Sequence, residues 1–213
     1  MAARLPALLR NHQHRPSVHF FLWRMGLADA TTQTTQEERD TLARFAAEKR
    51  NLVEIGVWHG ITTSRLRQSM SSDGALWAVD PYFRSRVGVC WAQMIAHNVV
   101  GKVSGGNVQW IRMTGADAAR VRLATPEPQP VDFIFIDGNH SYEGLEADWE
   151  GWSSQIAEGG IVALHDSRSS PVRNIDQAGS VIFTNEVILH DPNFEMVEAV
   201  DSLTVLKRIT AKA

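Results

Sequence analysis

The ten residues Asn51–Gly60, N-L-V-E-I-G-V-W-H-G, constrain this chain more than any other stretch. Leu52, Val53 and Ile55 form a short apolar run, interrupted by Glu54 and ended by Gly56, and a helical pattern starts near Thr62. A short apolar run bounded by glycine reads as a buried strand. Strand, glycine turn and helix in that order belong to an open α/β sheet, whose ligands bind beyond the carboxyl ends of the strands. Gly56 lets the backbone approach a ligand closely, and Gly60 relieves the turn into the helix. A carboxylate beside a central strand needs a partner, and a ligand ammonium group would supply one for Glu54. The spacing is neither the dinucleotide G-x-G-x-x-G nor the phosphate loop G-x-x-x-x-G-K-[ST].

The flanking sequence extends the alternation of helix and strand. Thr34–Arg50 reads as a helix, opened by a capping box at Thr34/Glu37 or Thr35/Glu38 and with Leu42, Phe45 and Ala46 on one face. Thr62–Met70 is a short helix, Ala75–Val79 a second strand, and Phe83–Val100 contains another helix. Asn107–Arg112 and Val131–Ile136 are further strands, separated by a turn at Met113–Asp117 and by the proline-rich Thr125–Pro130. Tyr142–Ile156 is helical, with Leu145, Trp149, Trp152 and Ile156 on one face; Gly159-Gly160 stops it before a fifth strand, Ile161–Leu164. Val181–Leu189 is a helix, Phe194–Ala199 and Leu203–Ile209 close the sheet, and 210–213 form a frayed tail. Residues 1–30 read as an arm: basic at Arg4, Arg10, His12, His14, Arg15 and His19, apolar over Val18–Leu27, and packed on the domain, on a second subunit, or as a lid.

Composition narrows the class. The 213 residues are 44% hydrophobic, enough for one α/β domain with a core. A net charge of −3 disfavours nucleic acid as a partner. The single cysteine, Cys90, allows no internal disulfide and fits a reducing compartment. No apolar run approaches the ~20 residues of a membrane span, and the first ten residues have too short an apolar core for a secretory signal. The expectation is a soluble cytoplasmic protein without membrane or nucleic-acid partners, with a homo-oligomer contact through Val18–Leu27 as one role for the arm.

Three strand ends carry acids. Asp80 follows the second strand, 26 residues after Glu54, where a carboxylate can accept both hydroxyls of a ribose. Asp137, followed by Gly138, Asn139 and His140, ends the fourth strand, and His165-Asp166-Ser167 ends the fifth, 29 residues after Asp137. The topology brings these loops to one edge. Arg84, Arg86, Cys90 and Trp91 stand where a substrate mouth would be, and the polar run Arg168–Gly179 follows as a candidate lid. His59 and His165 are secondary candidates; Asp148 and Glu143 read as surface or supporting acids.

The block I-D-G-N-H-S-Y-E-G-L-E-A-D, a helix, then G-G-I-V-A-L-H-D, together with E-I-G-x-x-x-G and Asp80, resembles the class I S-adenosylmethionine-dependent O-methyltransferases of the sugar and natural-product type. The likeness spans roughly residues 36–208. It implies a Rossmann-like, seven-stranded, mostly parallel sheet with helices on both faces. It implies that Glu54, Gly56, Gly60, Thr62, Asp80, Ala116 and Asp137 hold S-adenosylmethionine, with Glu54 and Gly56 at the methionine end, Asp80 at the ribose and Ala116 near the adenine. It implies Mg²⁺ on Asp137 and Asp166, although His165 and Ser167 stand where relatives carry a third ligand. It gives His140, in Asp137-x-x-His140, the role of general base; histidine titrates near neutrality and a metal would acidify a sugar hydroxyl. The expected reaction is methylation of a sugar or glycoside hydroxyl, a polysaccharide precursor being one case. The alternatives are a metal-independent enzyme acting on a phenol or amine and a non-catalytic cofactor-binding partner subunit.

Overall fold

The structure, a computed structural model, describes residues 15–85, 88–171 and 173–209. Among them seven strands form one sheet: β1 (Asn51–Ile55), β2 (Ala75–Val79), β3 (Asn107–Ile111), β4 (Val131–Ile136), β5 (Ile156–Leu164), β6 (Phe194–Val200) and β7 (Leu203–Arg208). Their order is β3-β2-β1-β4-β5-β7-β6. The first five strands run parallel, and β7 lies antiparallel to both β5 and β6. Seven α-helices cover the faces: α1 (Pro16–Arg24), α2 (Gln36–Ala46), α3 (Ile61–Ser69), α4 (Trp91–Gly101), α5 (Gly115–Leu123), α6 (Tyr142–Trp152) and α7 (Gly179–Glu186). The Rossmann-like, seven-stranded, mostly parallel sheet flanked by helices that the sequence leads one to expect is the one observed.

Each face of the sheet has its own core. Val53, Ile55, Ile134 and Ile136 pack with Leu145, Trp149 and Trp152 of α6 and with Ala118 and Ala119 of α5. Leu52, Leu76, Phe133 and Phe135 pack with Leu42 and Ala46 of α2 and Leu66 of α3. Alternation along each strand divides the residues in this way, because successive side chains leave opposite faces. Strands buried on both faces read as continuous apolar runs, as V-D-F-I-F-I does.

Several boundaries move. The capping box forms at Thr35 and Glu38, and α2 ends at Ala46 rather than Arg50. Helix α6 stops at Trp152, not Ile156; Ser153–Gln155 tighten into a 3₁₀ turn and Ile156 pairs with Val131 as the first residue of β5. Gly159-Gly160 therefore lies inside the strand, where Gly159 has φ +73°, and does not end the helix. Ile156 is buried in the α6 face of the core, which repays the extra pairing. Helix α7 is shorter than expected at its carboxyl end, because Ile188–His190 is a separate 3₁₀ turn. Of the arm, α1 rests on α4 through Phe20 and Phe21 against Trp91. Arg4, Arg10, His12, His14, Arg86 and the tail 210–213 lie outside the described residues.

Candidate active site

The loops after β1, β2, β3 and β4 open into one cavity of about 1080 Å³. Gly56, Thr62, Asp80, Ala116, Asp137 and His140 all line it. Gly56 has φ +88°, and a Cβ there would meet the backbone oxygen of Asp137 at 1.9 Å. Glycine is thus required both for the left-handed turn and for the approach of two strand ends. Gly60, with φ +74°, caps α3, and a Cβ there would crowd Val100 and Ala96; it shapes the turn from behind the wall.

Asp80 organises the loop after β1. Its Oδ2 accepts the backbone N–H groups of Val57 and Trp58, both at 3.0 Å, and its Oδ1 accepts that of Tyr82 at 2.7 Å. Trp58 holds φ +51°, a conformation costly for an aromatic residue, and its indole N–H donates to the Thr31 hydroxyl. Carboxylate oxygens have further lone pairs, so Asp80 can cap the turn and still face a ligand.

Glu54 lies elsewhere than expected. It is fully buried behind the cavity wall, with neither oxygen in a hydrogen bond of ordinary geometry. Burial raises its carboxyl well above the usual range; the charges of Asp137 and Asp80 add to this, and the nearby Thr63 hydroxyl opposes it. Glu54 does not line the cavity, so its carboxyl does not reach a ligand there directly.

At the end of β4 and β5 the acids and histidines converge. His140 Nε2 lies 3.6 Å from Asp137 Oδ1 and 3.9 Å from Asp166 Oδ2. His165, 3% exposed, points its Nδ1 at Asp137 Oδ1 (2.9 Å) and its Nε2 at Glu38 Oε2 (3.3 Å). Burial alone would lower the His165 pKa; Asp137 and Glu38 outweigh it and push it up to about 10. Burial alone would raise Glu38, but His165, the Thr35 N–H and Ser202 bring it down to about 2. Glu38 also accepts the Ser202 N–H and hydroxyl, so the pair is tied into β6–β7.

Asp166, expected as a metal ligand, is nearly buried and faces Arg173, whose Nη1 is 2.6 Å from its Oδ1. The donor atoms that lie within 4.8 Å of one another belong to Asp137, His140 and His165. Mg²⁺ takes oxygen ligands, and His165, held protonated between Asp137 and Glu38, offers no lone pair to an ion. As they stand, these groups do not fit Mg²⁺; Asp166 would have to exchange Arg173 for the ion.

Among the secondary candidates, His59 lines the cavity. Its Nδ1 accepts the Thr31 N–H at 3.0 Å, its ring stacks on His19 and Trp58, and burial chiefly lowers its pKa to about 4, with His19 contributing. It is therefore a neutral ring of the wall. Arg84, Cys90 and Trp91 line the mouth as expected. Asp148 is buried, lines the cavity, and is raised to about 6 by burial against the opposing Ala116 N–H. Its place three residues after Leu145 and beside Trp149, on the buried stripe of α6, was the signal that could have found it. Glu38 was legible only as a cap, and Arg173 only as part of a polar loop.

A methyltransferase-domain family model matches residues 53–167, more than half of the chain. An uncharacterized protein of Acanthamoeba polyphaga mimivirus is 25% identical over 126 residues, which is 57% of this chain and 53% of that one; a protein of Sinorhizobium fredii is 24% identical over 127 residues, 14% of its length. The chain thus spans about half or less of these relatives. Among solved structures, the O-methyltransferase TomG of Streptomyces achromogenes, bound to S-adenosylmethionine, superposes with a TM-score of 0.62 at 16% identity, covering 92% of this chain and 89% of that one. The O-methyltransferase of Bacillus cereus, bound to S-adenosylhomocysteine, superposes at 0.59 with 17% identity, covering 97% and 92%.

Proposed function

The chain belongs to the methyltransferase-domain family, and on that premise we propose that it is an S-adenosylmethionine-dependent O-methyltransferase acting on a hydroxyl of a sugar or glycoside. The observation that carries this reading is the convergence of Gly56, Asp80, Asp137 and His140 on one cavity large enough for a nucleoside and an acceptor together. Gly56 and the turn it permits would admit the amino-acid end, Asp80 the ribose hydroxyls, and the Gly115–Ala116 turn the base. S-adenosylmethionine supplies an electrophilic methyl group on a sulfonium. The protein's contribution is alignment of the acceptor oxygen with that carbon, and exclusion of water. His140, whose Nε2 faces the strand ends of β4 and β5, would take the hydroxyl proton as the methyl group is transferred.

The acceptor side favours a compact, partly apolar molecule. The cavity continues from the strand ends past Trp58 and Trp91 to the exposed Phe83, with Arg84 at the rim. Aromatic walls with few polar groups are the usual lining of small-molecule sites, and such rings suit the apolar C–H face of a sugar.

The sequence expectation of Mg²⁺ on Asp137 and Asp166 would require Asp166 to give up its ion pair with Arg173. The pairing of Asp166 with Arg173 favours a second reading, a metal-independent transfer to a phenol or amine. One experiment separates them: labelled-methyl transfer from S-adenosylmethionine to panels of free and partly methylated glycosides, phenols and amines, with Mg²⁺ and with chelator. Transfer to a glycoside that needs Mg²⁺ supports the first reading. Transfer to phenols or amines that survives chelation supports the second. Cofactor binding with no transfer to any panel points to a non-catalytic subunit.

A further inference from the structure

The rim of the cavity mouth carries an exposed apolar surface. On α1 and its cap, Val18, Phe21 and Met25 follow one another at three- and four-residue spacing and share one stripe. The other side of the helix, His19, Phe20 and Leu22, is buried. Phe21 is 55% exposed and Met25 63%. Phe21 touches Trp91 at the start of α4, whose ring lines the mouth, and Met94, one turn on, is 47% exposed. Phe83, also on the mouth, is 85% exposed. Large apolar side chains scattered singly need no explanation, but gathered round one opening they mark a contact surface.

Charge separates the possible contacts. Residues 15–28 and 81–116, which supply α1, the mouth loop, α4 and β3, hold six of the chain's 21 Lys and Arg residues and none of its 24 Asp and Glu residues, although the whole chain carries −3. Arg15, Arg24, Arg84 and Lys102 are exposed, and Lys102 lies over the Trp23 ring, so cations and aromatic rings share this face. The nearest acids along the chain are Asp29, past the arm, Asp80 at the end of β2 and Asp117 in α5; Glu143 lines the cavity from α6. A second copy of the chain, one expectation for Val18–Leu27, would bring this patch onto itself, with like charges facing. An anionic lipid surface complements both features. Aromatic and aliphatic side chains enter the boundary between headgroups and acyl chains, and each Lys or Arg at the surface adds attraction.

We propose that α1, the start of α4 and the Phe83–Arg84 loop form a docking face for an anionic bilayer surface, which holds the cavity mouth against the membrane. The inference goes beyond the methyl-transfer reading and does not depend on it. None of the described helices is long and apolar enough to cross a membrane, and docking at the surface needs no such helix. The expectation of a chain without membrane partners rested on the lack of a spanning run alone.

The test is sedimentation of the full chain with vesicles of phosphatidylcholine alone and of phosphatidylcholine mixed with phosphatidylglycerol. The wild type is expected to partition onto the mixed vesicles about tenfold or more above phosphatidylcholine alone, and to be released by raised salt. The double variant Arg15→Glu, Arg24→Glu is expected to lose about tenfold or more of that partition. Met25→Asp, which replaces an apolar anchor by an anion, is expected to lose it several-fold. Thermal unfolding of each variant, run alongside, shows whether a loss belongs to the face or to the fold. Wild-type partition that is absent, or equal on both vesicles, would overturn the proposal, as would folded variants that partition like the wild type. A dimer in ultracentrifugation that Met25→Asp dissociates, with no partition onto either vesicle, would overturn it and assign the face to a second copy of the chain.

Discussion

His165 Nδ1 lies 2.9 Å from Asp137 Oδ1 while its Nε2 lies 3.3 Å from Glu38 Oε2, so one buried imidazole joins the end of β4 to the N-terminus of α2. The charged ring is stable there only because an acid faces each nitrogen. Its folded pKa of about 10 exceeds the ordinary 6.5, so its contribution to stability is complete below 6.5 and is lost as pH rises toward 10. The folded pKa of Glu38, about 2, is below the ordinary 4.5, so its contribution is complete above 4.5 and is lost as pH falls toward 2. Stability in denaturant titrations should therefore be greatest between those limits and decline on both sides. Glu38→Gln should cost about 3 kcal/mol near neutrality and flatten the acid limb. An acid limb unchanged in the variant would remove Glu38 from this account.

His140→Ala should lower kcat by about 10²–10⁴-fold while S-adenosylhomocysteine binds as before, because the ring faces the acids of β4 and β5 and not the turns assigned to the nucleoside. Calorimetry and turnover on one preparation check both halves. Full activity in the variant would remove His140 as the base.

Asp80→Ala removes the acceptor of three backbone N–H groups as well as the expected ribose contact. Cofactor affinity should fall by about 10–100-fold, from one or two charged hydrogen bonds. Asp80→Asn should lose less, since an amide oxygen can still accept from the turn. Equal affinity in all three proteins would place the nucleoside elsewhere.

Gly56→Ala should fail structurally before it fails chemically. Its Cβ would overlap the Asp137 backbone oxygen, and φ +88° is unfavourable for any L side chain. The expected result is a loss of several degrees in Tm, or insolubility. A stable variant with unchanged Tm would mean that β1 and β4 can separate at this edge.

Arg173→Gln releases Asp166 from its 2.6 Å ion pair. A divalent ion and the guanidinium compete for that carboxylate, so direct Mn²⁺ titration should show about tenfold or tighter binding in the variant than in the wild type. Equal affinities would show that the ion, if bound, does not use Asp166.

The alternation of short apolar runs with amphipathic helices, and the glycines and acids at the run ends, were enough to define the sheet and most of its strands. That works because burial on both faces leaves a continuous apolar run, and because a turn at Gly56 admits no other residue. The periodicity misplaced the end of α6: Ile156 fits the helical face as well as it fits a strand, and only its pairing with Val131 decided between them.

The sequence by itself determined the fold class, the edge at which the site lies, and the convergence of Asp80, Asp137 and His140 there, since each follows from strand ends and crossover lengths. The tertiary structure alone decided the partners. It withdrew Glu54 behind the wall, set Glu38 of α2 on His165 at the end of β5, turned Asp166 toward Arg173, and brought Asp148 into the cavity. These are contacts between side chains on separate elements, and charge and hydrogen-bond partnership depends on distances of a few ångströms that spacing along a chain does not encode.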